Sequence, residues 1–187
     1  MILFVNACVR PSSRTYQLTN YILNKMKDNI EEINLENEKI QPLDWITLQN
    51  RDIYINTGDY SSPIFKYAKQ FAKANIIVIA APYWDLSFPA MLKCYFEAIT
   101  VLGVTFKYTQ EGKPIGLCKA KKLIYVTTAG GMIQENDFGF EYVKMLAQKF
   151  YGIENIECYR CENLDIAGSN VEDIMENEKR NIDNKLF

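Results

Sequence analysis

Three short, nearly uninterrupted apolar runs constrain this chain most: ILFVNA (2–7), NIIVIAA (75–81) and KLIYVTTA (122–129). A strand with one face in water alternates apolar and polar residues, whereas a strand covered on both faces reads as a continuous apolar run. EEINLE (31–36) alternates as a further strand, and IENIECYRC (153–161) reads as a fifth. Between the runs, apolar residues recur at helical spacing. Leu18, Ile22 and Met26 do so within about 13–27, and further helices are expected over 62–74, 88–101, 137–150 and 170–182, the last capped by Asn170. Five strands alternating with helices predict an α/β fold, a three-layer sandwich around a five-stranded parallel sheet. Two stretches stand outside the alternation. Residues 37–61 form a long connection in which PLDWITLQNRD can form a helix, and 102–118 (LGVTFKYTQEGKPIGLC) read as a lid or hairpin.

Composition narrows the chemistry. The chain has 187 residues, enough for one domain (1–187) with a full core. A net charge of −2 supplies no basic field for nucleic acid or an anionic membrane. There is no histidine, which removes Ser-His-Asp and Cys-His catalysis and imidazole metal sites. The five cysteines are scattered and odd in number, and the opening MILFVNA is short and lacks a basic leader. Both features predict reduced thiols in a cytoplasmic protein, and no stretch is long enough to span a bilayer. The lone CYRC (158–161) has no second pair to complete a metal site, and on a strand its two thiols face opposite sides.

In an open parallel sheet, ligands sit beyond the carboxyl ends of the strands where strand order reverses. With the order 2-1-3-4-5 that point lies between the first and third strands, so the loops at 7–15, 82–88 and 128–134 carry the function. CVRPSSRT (8–15) admits two phosphate readings and a plainer one. Ser12, Ser13 and Thr15 at the start of a helix, with Arg10 or Arg14, make an anion seat. Alternatively Ser13 simply caps the helix. The third reading is Cys8-x5-Arg14-Thr15, the spacing of a low-molecular-weight cysteine phosphatase; against it, Pro11 removes a backbone donor, the loop has no glycine, and Asp85 is the only evident general acid. In APYWDLSFPAMLK (81–93), Tyr83 and Trp84 suit a flat ring in the crevice, or else close the core or a subunit contact, and Pro89 suits the first turn of a helix. The paired glycines of TTAGGM (127–132) allow close backbone approach, or mark an ordinary turn.

Taken together, the chain resembles the FMN-dependent NAD(P)H oxidoreductases of the flavodoxin-like fold, the NADH-azoreductases and NAD(P)H quinone reductases. The segments that carry the resemblance are ACVRPSSRT (7–15), APYWDLSFPAMLKCYFE (81–97), GVTFKY (103–108), KAKKLIYVTTAGG (119–131) and ENLDIAGSN (162–170). The resemblance implies a flavodoxin-like FMN-binding domain with Arg10, Ser13, Arg14 and Thr15 at the FMN phosphate. It implies Pro82, Tyr83, Trp84, Asp85 and Leu86 along the isoalloxazine and ribityl chain, and Thr128, Ala129, Gly130 and Gly131 at the pyrimidine side. It further implies hydride transfer from NADH or NADPH through FMN to a quinone, azo or nitro acceptor in a ping-pong cycle. Such chemistry needs no side-chain acid or base, in keeping with the absence of histidine. Tyr83, Trp84, Phe106 and Tyr108 are the substrate-facing candidates, and members of the family are typically homodimers, in which Phe106 and Tyr108 cover the flavin of one subunit or the other. Azoreductase relatives often carry an arginine near Ala129 and an asparagine near Asp85, and this chain departs at both. The non-enzymatic alternative is a flavodoxin-like electron carrier, whose strongly acidic surface is not evident at a net charge of −2.

Overall fold

The structure is a computed structural model describing residues 1–135 and 137–186. Its elements in chain order are β1 (Ile2–Asn6), α1 (Arg14–Lys25), β2 (Ile30–Asn34), α2 (Leu35–Glu38), α3 (Trp45–Thr57), α4 (Lys66–Lys73), β3 (Ile76–Ala80), α5 (Ala90–Ile99), β4 (Phe106–Tyr108), β5 (Pro114–Gly116), β6 (Lys122–Thr128), α6 (Phe140–Leu146), β7 (Asn155–Cys161) and α7 (Val171–Leu186). The main sheet runs β2-β1-β3-β6-β7, and every adjacent pair in it is parallel. This is the expected order, with β6 and β7 as fourth and fifth strands. The stretch 102–118 is a hairpin: β4 and β5 pair antiparallel, Phe106 opposite Gly116.

The apolar runs account for the layering. In β1, successive side chains feed two different cores: Leu3 and Val5 join α4 and α5 residues such as Phe71 and Phe96, while Ile2 and Phe4 join Leu18 and Ile22 of α1 and Ile182 of α7. β3 and β6 do the same, which is why none of the three alternates in polarity. β2 is an edge strand, and its first three residues are exposed.

Local departures from the sequence reading have local causes. The second strand ends at Asn34 rather than 36, because Asn34 accepts a hydrogen bond from Glu36 N and opens α2. Beyond α2, the long helix within 37–61, α3, begins at Trp45, where Asp44 accepts from Thr47 N at 2.7 Å. Pro89 stands just before α5 with extended backbone (ψ 141°), not inside its first turn. α6 starts at Phe140, after a turn in which Asp137 caps it, and widens into a π-turn over Ala147–Tyr151. Among the described residues no helix is long and apolar enough to cross a membrane.

Candidate functional site

At the carboxyl end of β1 the chain reverses: Asn6 Oδ1 accepts from Cys8 N at 2.9 Å, and Ser13 N donates to Arg10 O at 3.0 Å. Ser13 then caps α1, its Oγ accepting from Tyr16 N at 3.2 Å. The cap reading of Ser13 therefore holds, and the same residue also faces the crevice. α1 has no acidic residue in its first turn, and the N–H groups of Arg14 and Thr15 lie where a helix has no internal acceptor to offer. Thr15 is fully buried, and its hydroxyl lies 2.7 Å from that of Thr128, which ties the helix start to the end of β6. The Arg14 guanidinium donates to Asp165 Oδ1 at 2.7 Å and to Leu164 O at 3.3 Å.

The second loop runs beside the end of β6, through Ala81 N to Val126 O and Tyr83 N to Thr128 O, both at 3.0 Å. Trp84 and Ser87 then exchange two backbone hydrogen bonds, and the residues between them, Asp85 and Leu86, have φ of +49° and +67°. This is a two-residue turn of the kind that normally takes Asn-Gly, here built from residues with side chains at a steric cost. The third loop is zipped to the chain after β7: Leu164 N donates to Ala129 O, Asp165 N to Gly130 O and Asn163 N to Gly131 O, at 2.9 to 3.2 Å.

These loops enclose a cleft of about 340 Å³, within the size range of small-molecule sites. Arg10, Ser13, Arg14, Thr15, Pro82, Tyr83, Trp84, Thr128, Ala129 and Gly130 all line it, together with Ser12 and Val9. Asp85 and Leu86 are exposed at the turn tip and, like Gly131, fall outside the lining. Phe106 and Tyr108 are also outside it. Phe106 is buried, with its ring 5.0 Å from that of Phe150, and serves to plug the hairpin, whereas Tyr108 is exposed. Sequence reading missed Leu164 and Asp165 as lining residues. Their signal was position, directly beyond the carboxyl end of the fifth strand in the segment ENLDIAGSN. An anion seat of hydroxyls, guanidinium and a helix start at one end, with aromatics beside it, is a donor set that fits a phosphorylated flat ring such as FMN.

The phosphatase constellation is not assembled. The Cys8 thiol is buried with its Sγ 3.9 Å from Ala80 O, and burial pushes it up to about 11 against an opposing hydrogen bond from Ser13, with Glu32 adding to the rise. A nucleophilic cysteine must be a thiolate near neutral pH. Asp85, the candidate acid, is at the exposed turn tip, and Arg14 is held by Asp165. Below about pH 11 the protonated thiol dominates, so alkylation of Cys8 by iodoacetamide is expected to be negligible at pH 7 and to rise only in strongly alkaline solution; peptide mass mapping over a pH series checks this, and an inflection near neutrality would contradict the structure. Cys158 and Cys161 belong to opposite core faces, as the spacing predicts, and burial pushes both up to about 12.

Comparison with known proteins agrees with the geometry. A family model described as flavodoxin-like fold matches residues 1–186. An FMN-dependent NADH:quinone oxidoreductase of Clostridium beijerinckii is 36% identical, over 94% of this chain and 92% of the relative. The crystal structure of an azoreductase from Bacillus anthracis str. Sterne superposes with a TM-score of 0.82 at 26% identity, covering 96% of this chain and 95% of that one. An FMN-dependent NADH-azoreductase from Bacillus anthracis str. Ames Ancestor, solved in complex with FMN, shares the fold with a TM-score of 0.81 at 21% identity, covering 98% and 95% of the two chains. With its sheet order, its crevice at the reversal point and these matches over nearly all its length, the chain belongs to the flavodoxin-like family that holds the FMN-dependent NADH:quinone oxidoreductases and the azoreductases.

Proposed function

We propose that this chain is an FMN-dependent oxidoreductase that takes electrons from NADH or NADPH and reduces a small quinone, azo or nitro acceptor. One observation carries the reading. The cleft at the reversal point joins an anion seat at the start of α1 to the aromatic wall of Tyr83 and Trp84. Bound FMN supplies a two-electron centre that accepts hydride from the nicotinamide and yields it to the acceptor, a ping-pong scheme when one open face serves both in turn.

The protein's own work is binding and orientation. Arg14, the Ser12 and Ser13 hydroxyls and the free N–H groups of the first turn of α1 hold the phosphate, with exposed Arg10 at the flank. Pro82, Tyr83 and Trp84 wall the ring, while Asp85 and Leu86 shape the turn that presents them. In the third loop, Ala129 N is spent on Cys161 O at 2.9 Å, whereas the N–H groups of Gly130 and Gly131 have no backbone acceptor among the described residues. They are the donors placed to stabilise negative charge on the reduced ring. Thr128 holds Thr15 and sets the depth of the cleft.

A second copy of the chain completes the unit in this reading. α3 buries none of its residues and exposes Trp45, Ile46 and Ile53, while Tyr108 extends from the hairpin; apolar surface of this kind favours a homodimer. Tyr108, rather than the internally packed Phe106, is then the aromatic free to reach a substrate.

Purified protein is expected to be yellow or to take up FMN, to release FMN on denaturation, and to oxidise NADH or NADPH with a quinone present. A colourless protein that ignores added FMN would overturn the reading. Uptake of FMN without nicotinamide oxidation would make the chain an electron carrier.

A further inference from the structure

Four buried side-chain oxygens have no hydrogen-bond partner among the described residues: the hydroxyls of Tyr83, Tyr125 and Thr127, and Oδ2 of Asp137. Asp137 is 5% exposed, Tyr125 1% and Thr127 0%, so water at the surface does not serve them. Tyr125 and Thr127 stand two residues apart on one face of β6. The other oxygen of Asp137, Oδ1, accepts from Gly139 N at 2.8 Å and Phe140 N at 3.0 Å, which immobilises the carboxylate at the start of α6.

The three segments meet around Gly139. A Cβ there would stand 3.0 Å from Asp137 Oδ1, 3.3 Å from the Tyr125 hydroxyl and 3.5 Å from the carbonyl carbon of Ser87. The aromatic loop is also tied here directly, Ser87 Oγ donating to Phe138 O at 3.2 Å. Tyr83 thus lines the cleft while its hydroxyl is turned away from solvent. Burial, with Asp137 and then Glu162 adding to it, pushes the Tyr83 phenol up, and burial with Asp137 does the same to Tyr125 against the opposing pull of the nearby Thr127 hydroxyl. Both remain O–H donors. A buried carboxylate oxygen without a donor and buried hydroxyls without an acceptor each carry a desolvation cost, which they remove by satisfying one another.

We propose that Asp137 is a positioning residue: its inward oxygen takes the Tyr83 hydroxyl hydrogen across one bound water, and so holds the loop 82–87 against the cleft. The effect on cofactor binding rests on the FMN reading above, whereas the anchor itself does not. Asp137 contacts neither cleft nor substrate and acts only through Tyr83.

The test is a double-mutant cycle of Tyr83→Phe and Asp137→Asn, the second keeping an oxygen for the helix cap, read two ways. Urea unfolding of the apoproteins is expected to show that the two changes together cost less than their sum. FMN titration by fluorescence quenching is expected to show each single variant weakened about tenfold and the double variant no weaker than Asp137→Asn alone. Additive effects in the apoproteins would overturn the anchor. Wild-type FMN affinity in Asp137→Asn would overturn its positioning role. A wild-type protein that binds no FMN would instead overturn the flavin reading, with the apoprotein cycle still deciding the anchor.

Discussion

Arg14→Ala is expected to weaken FMN binding about ten- to a hundredfold, the loss of one or two charge-assisted hydrogen bonds worth ~1.5–3 kcal/mol. In the structure the guanidinium is not idle, since Asp165 Oδ1 holds it at 2.7 Å. Both side chains are substantially exposed, 39% for Arg14 and 68% for Asp165, so solvent screens the pair and its opening costs at most ~1 kcal/mol. A phosphate dianion competes well for the same donors. Removing Arg14 also leaves Asp165 unpaired on the cleft wall, where it repels the phosphate. The companion variant Asp165→Asn releases the guanidinium and is expected to bind FMN as tightly as wild type or more tightly. Fluorescence titration of both variants at low and high salt checks the pair. Equal weakening in the two would show that the ion pair, and not the arginine alone, forms the seat.

Gly116→Ala is expected to destabilise the protein by ~3 kcal/mol, because overpacking here has nowhere to relax. A Cβ at 116 would meet Gly152 N and Tyr151 C at 2.1 Å and Tyr151 O at 2.4 Å, all backbone atoms. The hairpin carrying Phe106 and Tyr108 is docked through this contact onto the π-turn Ala147–Tyr151. For a chain of this length such a loss lowers Tm by roughly 6–12 °C. Gly112 is the control. Its surroundings are open and only its φ of +77° opposes a side chain, so Gly112→Ala is expected to cost ~1 kcal/mol and roughly 2–4 °C. Calorimetry of the two variants separates steric docking from backbone strain; a Gly116→Ala protein melting with the wild type would refute the docking.

Much of the cleft was legible because it follows from sheet order. Five strands alternating with helices, taken in the flavodoxin-like order 2-1-3-4-5, put the crevice beyond β1 and β3, and that placement brings the segments around Ser13, Tyr83 and Thr128 together. The resemblance then supplied the ring and the phosphate. Less legible was which atoms remain available. Ser13 spends its oxygen on the cap, Ala129 spends its N–H on Cys161, and Tyr83 turns its hydroxyl inward. Each of these depends on a partner distant in sequence or on a dihedral angle. The Asp85-Leu86 turn gave no signal at all, since its type is normally announced by glycine.

From the sequence alone came the layer architecture and the two-sided core, because periodicity and run length report how many faces of an element are covered, while the strand order, and with it the neighbourhood of the crevice, came from the resemblance to the flavodoxin-like fold. Only the folded chain decided that Asp165 would hold the Arg14 guanidinium, that Phe106 would pack against Phe150 outside the cleft lining, and that Asp137 would be buried with one oxygen lacking a partner among the described residues. Those outcomes turn on contacts between segments far apart along the chain, and a local pattern of residue types holds no record of which distant partner closes each one.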